Sequence, residues 1–142
     1  MNISDKKAID LLVNEFWRLG YFTLSRRLGT YLPEPENVGN FQVDVIGRNK
    51  EKYAIGITLT KVDIFNSNLL EKINYLASRK IRSSGKSITL FIGVADIYFK
   101  RVKELLINID EKVRRNIKLV CIREIDFRNS NTLAHPQQII FS

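Results

Sequence analysis

The sequence predicts an α/β fold, a mixed β-sheet with helices on its faces. Three observations predict it. Apolar residues recur at helical spacing over residues 4–19, 66–82 and 96–110. Short apolar or alternating runs bounded by polar turns separate them, at 20–28, 41–47, 53–60, 88–94 and 117–122. The later part of the chain reads strand, helix, strand, which calls for a right-handed parallel crossover. The order is therefore α-β-β-β-α-β-α-β. It fills one domain over 1–142, with the core at about 5–122 and a peripheral tail at 123–142.

Each element has its own signal. Ser4 is placed to cap the first helix and Gly20 to stop it. Ile9, Leu12, Val13, Phe16 and Leu19 make that helix's core stripe, which Glu15 borders. Trp17 reads as a core or interface residue. GYFTLSRRL (20–28) is a strand, and TYLPEPENVGN (30–40), with two prolines, a loop. FQVDVIG (41–47), the turn RNKEK and YAIGITLT (53–60) make a hairpin. Asn66 or Asn68 caps the next helix, which buries Leu69, Leu70, Ile73, Leu76, Ala77 and Ile81. ITLFIGV and IKLVCI are expected as buried strands on either side of a helix carrying Tyr98, Val102, Leu105, Leu106 and Ile109 inward. QQIIFS (137–142) is read as a short terminal strand.

Composition narrows the function classes. Apolar residues make up 44% and charged residues 27%, an ordinary globular mix. The single cysteine, Cys121, excludes an internal disulfide and a zinc site of several cysteines. No apolar run is long enough to span a bilayer, and MNISDKKAID lacks the apolar core of a signal peptide. A cytoplasmic protein with no membrane partner is expected. Net charge is +8 and uneven: residues 1–68 hold nine basic and eight acidic side chains, residues 69–142 fourteen and seven. Between Lys72 and Ala95 there is no acid, while Lys72, Arg79, Lys80, Arg82 and Lys86 all fall there. A patch of one sign concentrates polyanions, so nucleic acid is the leading partner, ahead of an acidic protein or mere solubility.

Few residues carry recognisable chemistry. Asp44 lies between valines in a strand. A carboxylate there costs several kcal/mol unless paired or hydrogen-bonded. It either belongs to a site or accepts backbone bonds and meets Arg26 or Arg27 from the neighbouring strand. His135, the only histidine, precedes a proline and reads as a loop residue. GRNKEK lacks the ending of a phosphate-binding loop, and Gly85-Lys86-Ser87 precedes a strand where such a loop opens a helix.

The element order, Glu15 in the first helix, Asp44 in V-D-V, and Lys52-Tyr53 opening the next apolar strand together resemble the PD-(D/E)XK nuclease superfamily. This is the restriction-endonuclease-like fold, and the pattern is similar to archaeal Holliday-junction resolvases and small Mrr-like endonucleases. The resemblance covers roughly residues 5–122. It implies a central mixed β-sheet flanked by helices and metal-dependent cleavage of DNA. One or two magnesium or manganese ions would activate water and neutralise phosphate charge. It implies Asp44 and Glu15 as metal ligands, and a Glu-x-Lys pair on the strand after the hairpin. With the strand anchored on Lys52-Tyr53, Ile57 and Leu59 occupy those slots. Shifting by one gives Gly56 and Thr58, or Thr58 and Thr60. No register supplies an acid or an amine.

Two substitutes are possible within that resemblance. Glu71 on the following helix would replace the carboxylate, and Lys61 or Lys72 the amine, with Asp63 a weaker candidate. Glu71 is otherwise a solvated helix acid beside a lysine. The expected function is a nucleic-acid-binding protein of this fold with a degenerate, inactive metal site. Arg26, Arg27, Lys72, Arg79, Lys80, Arg82 and Lys86 are its contact candidates, duplex or branched DNA its partner, and a homodimer its state. The alternatives are an active endonuclease using Glu15, Asp44, Glu71 and Lys61, or a scaffold or regulatory subunit.

Overall fold

The computed structural model describes residues 4–123. Its elements are α1 (Asp5–Arg18), β1 (Phe22–Arg26), β2 (Val45–Asn49), β3 (Lys52–Leu59), α2 (Lys61–Ile64), α3 (Leu69–Ala77), β4 (Thr89–Ala95), α4 (Asp96–Leu106), α5 (Glu111–Arg114) and β5 (Ile117–Ile122). The five strands form one mixed sheet in the order β1-β2-β3-β4-β5. β1, β2 and β3 are an antiparallel meander, and β3, β4 and β5 run parallel. The α/β architecture with helices flanking a mixed sheet is therefore as the sequence predicts.

Alternation along the strands divides the core between the two faces. On one face α1 lays Ile9, Leu12 and Phe16 onto Val45, Ala54 and Phe91. Glycine lets the helix come this close. A Cβ on Gly47 would lie 2.6 Å from Phe16 Cδ2, and one on Gly56 2.8 Å from Leu12 Cδ2. The other face is larger. There Ile55, Ile57 and Leu59 of β3 and Leu90, Ile92 and Val94 of β4 pack with Ile73 and Leu76 of α3 and Val102 of α4.

Ser4 caps α1 by accepting from the Lys7 N–H at 3.3 Å, and Gly20 follows with φ +89°. Several details differ from expectation. α3 ends at Ala77 because residues 79–88 fold back on themselves: Ile81 N–H donates to the Lys86 carbonyl at 2.9 Å. Asn68 precedes α3 without a side-chain cap, and its N–H donates instead to Asn66 Oδ1. α2 was not foreseen. It exists because Thr60 and Asp63 form a reciprocal capping box over a single turn. β5 is only half-buried, since it is an edge strand among the described residues. Trp17 is 68% exposed, so it is not a core residue. QQIIFS and His135 lie outside the described residues.

Candidate functional site

Asp44 directly precedes β2 and extends its ladder, its N–H donating to the Gly56 carbonyl at 2.9 Å. It is the only buried charged residue among those described. Three bonds hold its carboxylate. Arg27 Nε donates to Oδ1 at 2.7 Å, while Thr58 N–H and Oγ1 donate to Oδ2 at 2.7 and 3.0 Å. Arg27 arrives just past β1, where its own N–H binds the Asp44 carbonyl at 2.8 Å. Asp5, in the first turn of α1, approaches the same guanidinium at 3.8 Å. Beside it, Arg26 donates to Asp10 Oδ1 at 2.7 Å. Asp44 raises the Arg27 pKa above its ordinary value, chiefly through the hydrogen bond; partial burial opposes this, and Asp5 adds a smaller push.

The contact with Thr58 fixes which β3 residues answer Asp44. Thr58 stands beside the carboxylate, and Thr60 follows on the same side. Ile57 and Leu59 point into the opposite core and are buried. The preferred register of the sequence reading is thus displaced by one residue. The cause is the alternation of β3, whose isoleucines and Leu59 belong to the apolar face and whose Ala54, Gly56 and Thr58 face α1 and Asp44.

Thr58, Thr60 and Lys61 line a cleft of about 210 Å³ at the carboxyl ends of the parallel strands, with Asp5 and Tyr98 on other walls. Ligands in open α/β sheets bind outside those strand ends. The polar groups here are nonetheless largely committed. Thr60 and Asp63 close on each other in the α2 capping box. Glu15 lies ten residues along α1 from Asp5, roughly 15 Å by helical rise, and pairs with Arg18. Glu71 is exposed in the first turn of α3, and Lys61 is exposed at the mouth of the cleft. No group of three His, Cys, Asp or Glu side chains among the described residues converges as a metal site would require.

These residues do not fit a magnesium or manganese ion. Both Asp44 oxygens are hydrogen-bonded, and a guanidinium already supplies the positive charge at 2.7 Å that a cation would bring. A hard divalent ion wants several oxygen donors facing one point. The groups around Asp44 are instead mainly hydrogen-bond donors.

The basic candidates gather elsewhere. Lys52 opens β3 and Thr60 directly follows its far end, roughly 25 Å away at strand rise. At the Lys52 end, the β2–β3 turn meets the loop after α3. Lys86 reaches Glu51 at 3.4 Å, and Asn49, Lys50, Glu51, Lys52 and Lys86 line an open hollow of about 450 Å³. Lys80 and Arg82 are exposed in the same loop, where Lys80 bridges to Ser87. Arg79 is tied down: its guanidinium lies 3.8 Å over the Tyr75 ring, and Nε donates to the Tyr75 carbonyl. Lys72 is half-buried on α3. Arg26 and Arg27 belong to the acid network at the other end.

Lys50 and Lys52 were missed because RNKEK reads simply as a polar turn. No local signal marked them, since Lys86 lies 36 residues beyond Lys50 and only the topology brings the three lysines together. No family model matches this chain, and neither a curated protein nor a solved structure matches it.

Proposed function

We propose that this protein binds nucleic acid through phosphate contacts, on a frame like that of the PD-(D/E)XK nucleases, with Asp44 serving as a structural acid and not as a metal ligand. The observation that carries the reading is the convergence of Lys50, Lys52 and Lys86 on one open hollow with Glu51 as the sole acid. Cations held close together at an exposed sheet end are what a polyanion recognises. Lys50 adds support. It holds φ +56°, a left-handed conformation that costs a non-glycine residue about 1 kcal/mol. Retaining lysine there is accounted for if its ammonium has work to do.

Fluorescence anisotropy with labelled DNA or RNA tests the proposal. Affinity is expected to fall with salt at a log–log slope of about −2 to −3, as for three neutralised phosphates, with little preference for sequence. The double variant Lys50→Glu, Lys86→Glu is expected to weaken binding at least tenfold at low salt. Failure of the wild-type protein to bind any nucleic acid at low salt overturns the reading. An active endonuclease is the competing reading. Supercoiled plasmid incubated with the protein and manganese is expected to stay intact; nicking that disappears with Asp44→Ala would establish catalysis instead.

A further inference from the structure

A row of aromatic and cationic side chains, exposed except for the half-buried Tyr53, crosses the sheet beside the lysine hollow. Strand register sets it up. Phe22 of β1 pairs with Arg48 of β2, and Arg48 pairs with Tyr53 of β3. Directly paired residues place their side chains on the same face, about 5 Å apart. Trp17, near the end of α1 on the opposite face, meets Phe22 edge-on at the β1 edge of the sheet, ring centroids 5.7 Å apart and planes at 70°. Trp17 and Phe22 are 68% and 62% exposed. The Arg48 guanidinium lies 5.4 Å from the Tyr53 ring centroid, and its Nε donates to the Lys50 carbonyl. The arginine is therefore tethered beside the Tyr53 ring before any ligand arrives.

Single exposed apolar residues are ordinary on a protein surface. Two exposed aromatics in contact at the sheet edge, one of them paired across the strands with a tethered arginine next to a lysine-lined turn, form a patterned surface. We infer that this row is a stacking platform for single-stranded nucleic acid. Unpaired bases lie on Trp17 and Phe22, Arg48 stacks or bridges to the backbone, and Lys50 and Lys86 hold phosphates. Aromatic rings with flanking cations are what a single strand uses, because every base has an open π-face once it is unpaired. A duplex hides those faces and offers only its phosphates.

The alternative occupant, another β-strand, is disfavoured by the edge itself. The β1–β2 register shifts between Thr23 and Ser25, a bulge at Leu24, and the Arg26 N–H donates to the Pro33 carbonyl at 2.9 Å. Bulges and covered edge donors blunt a strand as a template for pairing. The excess of lysine and arginine around the row also matches a polyanion and not a second copy of the same basic surface.

This inference rests on the nucleic-acid reading and narrows it to unpaired strands. The chain has one tryptophan, so its emission reports on the row alone. Wild-type protein is titrated with a poly-dT oligonucleotide of about twelve nucleotides, and in parallel with a mixed-sequence duplex of equal length. Saturable quenching of Trp17 by the single strand is expected, with affinity at least tenfold above the duplex. Phe22→Ala is expected to weaken single-strand binding roughly tenfold, and Phe22→Tyr to restore it. Restoration shows that stacking, and not a folding defect, was lost. Equal affinity for duplex, no quenching, and a neutral Phe22→Ala alongside a damaging Lys50→Glu, Lys86→Glu overturn the platform and leave the phosphate reading standing. No binding to either form at low salt overturns both. A blue shift of Trp17 emission with protein concentration alone, together with dimer sedimentation, also overturns the platform by making the row a self-interface.

Discussion

The two ends of β3 handle charge in opposite ways. At the carboxyl end, Asp44 is buried and spends both oxygens on Arg27 and Thr58, while Arg26 and Asp10, and Thr60 and Asp63, close on each other. At the amino end, Lys50, Lys52 and Lys86 surround an open hollow with one glutamate. The first arrangement satisfies itself and contributes to stability. The second leaves positive charge facing solvent and contributes to recognition. A resemblance carried by Asp44 thus directs attention to the end of the sheet that is chemically closed.

The contrast breaks most visibly through Arg27. Arg27→Ala strands the Asp44 carboxylate in the core, and loss of one member of a buried pair is expected to cost about 3 kcal/mol in urea unfolding. Nucleic-acid affinity should be unchanged under native conditions. A loss below about 1 kcal/mol would show that Asp44 does not depend on this pair. The pH dependence follows from the direction of the Arg27 shift. A pKa raised in the folded state gives stability that is fully present below the unfolded value and fades only as pH rises through the folded one. The gap between wild type and Arg27→Ala should therefore stay level from about pH 6 to 9.

A milder cut at the same end is Thr58→Val. It removes the hydroxyl bond to Oδ2 but keeps the N–H bond, so a loss of about 1 kcal/mol is expected in thermal unfolding. A loss as large as that of Arg27→Ala would place the strength of the network in Thr58. The smallest effect on stability, and the sharpest on the comparison, comes from Lys50→Gly at the other end. Glycine relieves the left-handed backbone, so stability is expected to rise by about 0.5 kcal/mol. Binding to nucleic acid is expected to weaken several-fold as one phosphate contact goes. A variant that gains stability and keeps full affinity would remove Lys50 from the interface.

Most of the fold was legible because local and global signals agree. The Ser4 cap and the Ile9–Leu12–Phe16 stripe specify α1, and the polar turn between Val45 and Ala54 specifies a hairpin. What escaped were two single turns of helix, Lys61–Ile64 and Glu111–Arg114. Lys61–Ile64 is too short to show periodicity, and only the Thr60–Asp63 spacing announced it. The site was half legible. A buried acid beside valines implied a partner, and Arg27 was among the two named for that structural role. The β3 register was misjudged because a family motif took precedence over alternation: Ile55, Ile57 and Leu59 already marked the core face. The Trp17–Phe22–Arg48–Tyr53 row could not be read from the chain. Its members lie on four elements, and only strand pairing makes them neighbours.

The reach of α1 has a consequence for how the chain folds. This helix packs against every strand of the sheet, from β1 to β5, yet it ends at Arg18 and β5 begins at Ile117. The β2–β3 hairpin closes over a two-residue turn and can form early. Docking of α1 across the finished sheet needs contacts of the highest sequence separation in the molecule, whose loop-closure entropy delays them. During synthesis the first helix leaves the ribosome long before its last partner strand. Until then the sheet that covers Ile9, Leu12 and Phe16 is incomplete, which makes the α1 stripe the segment on which a chaperone would act.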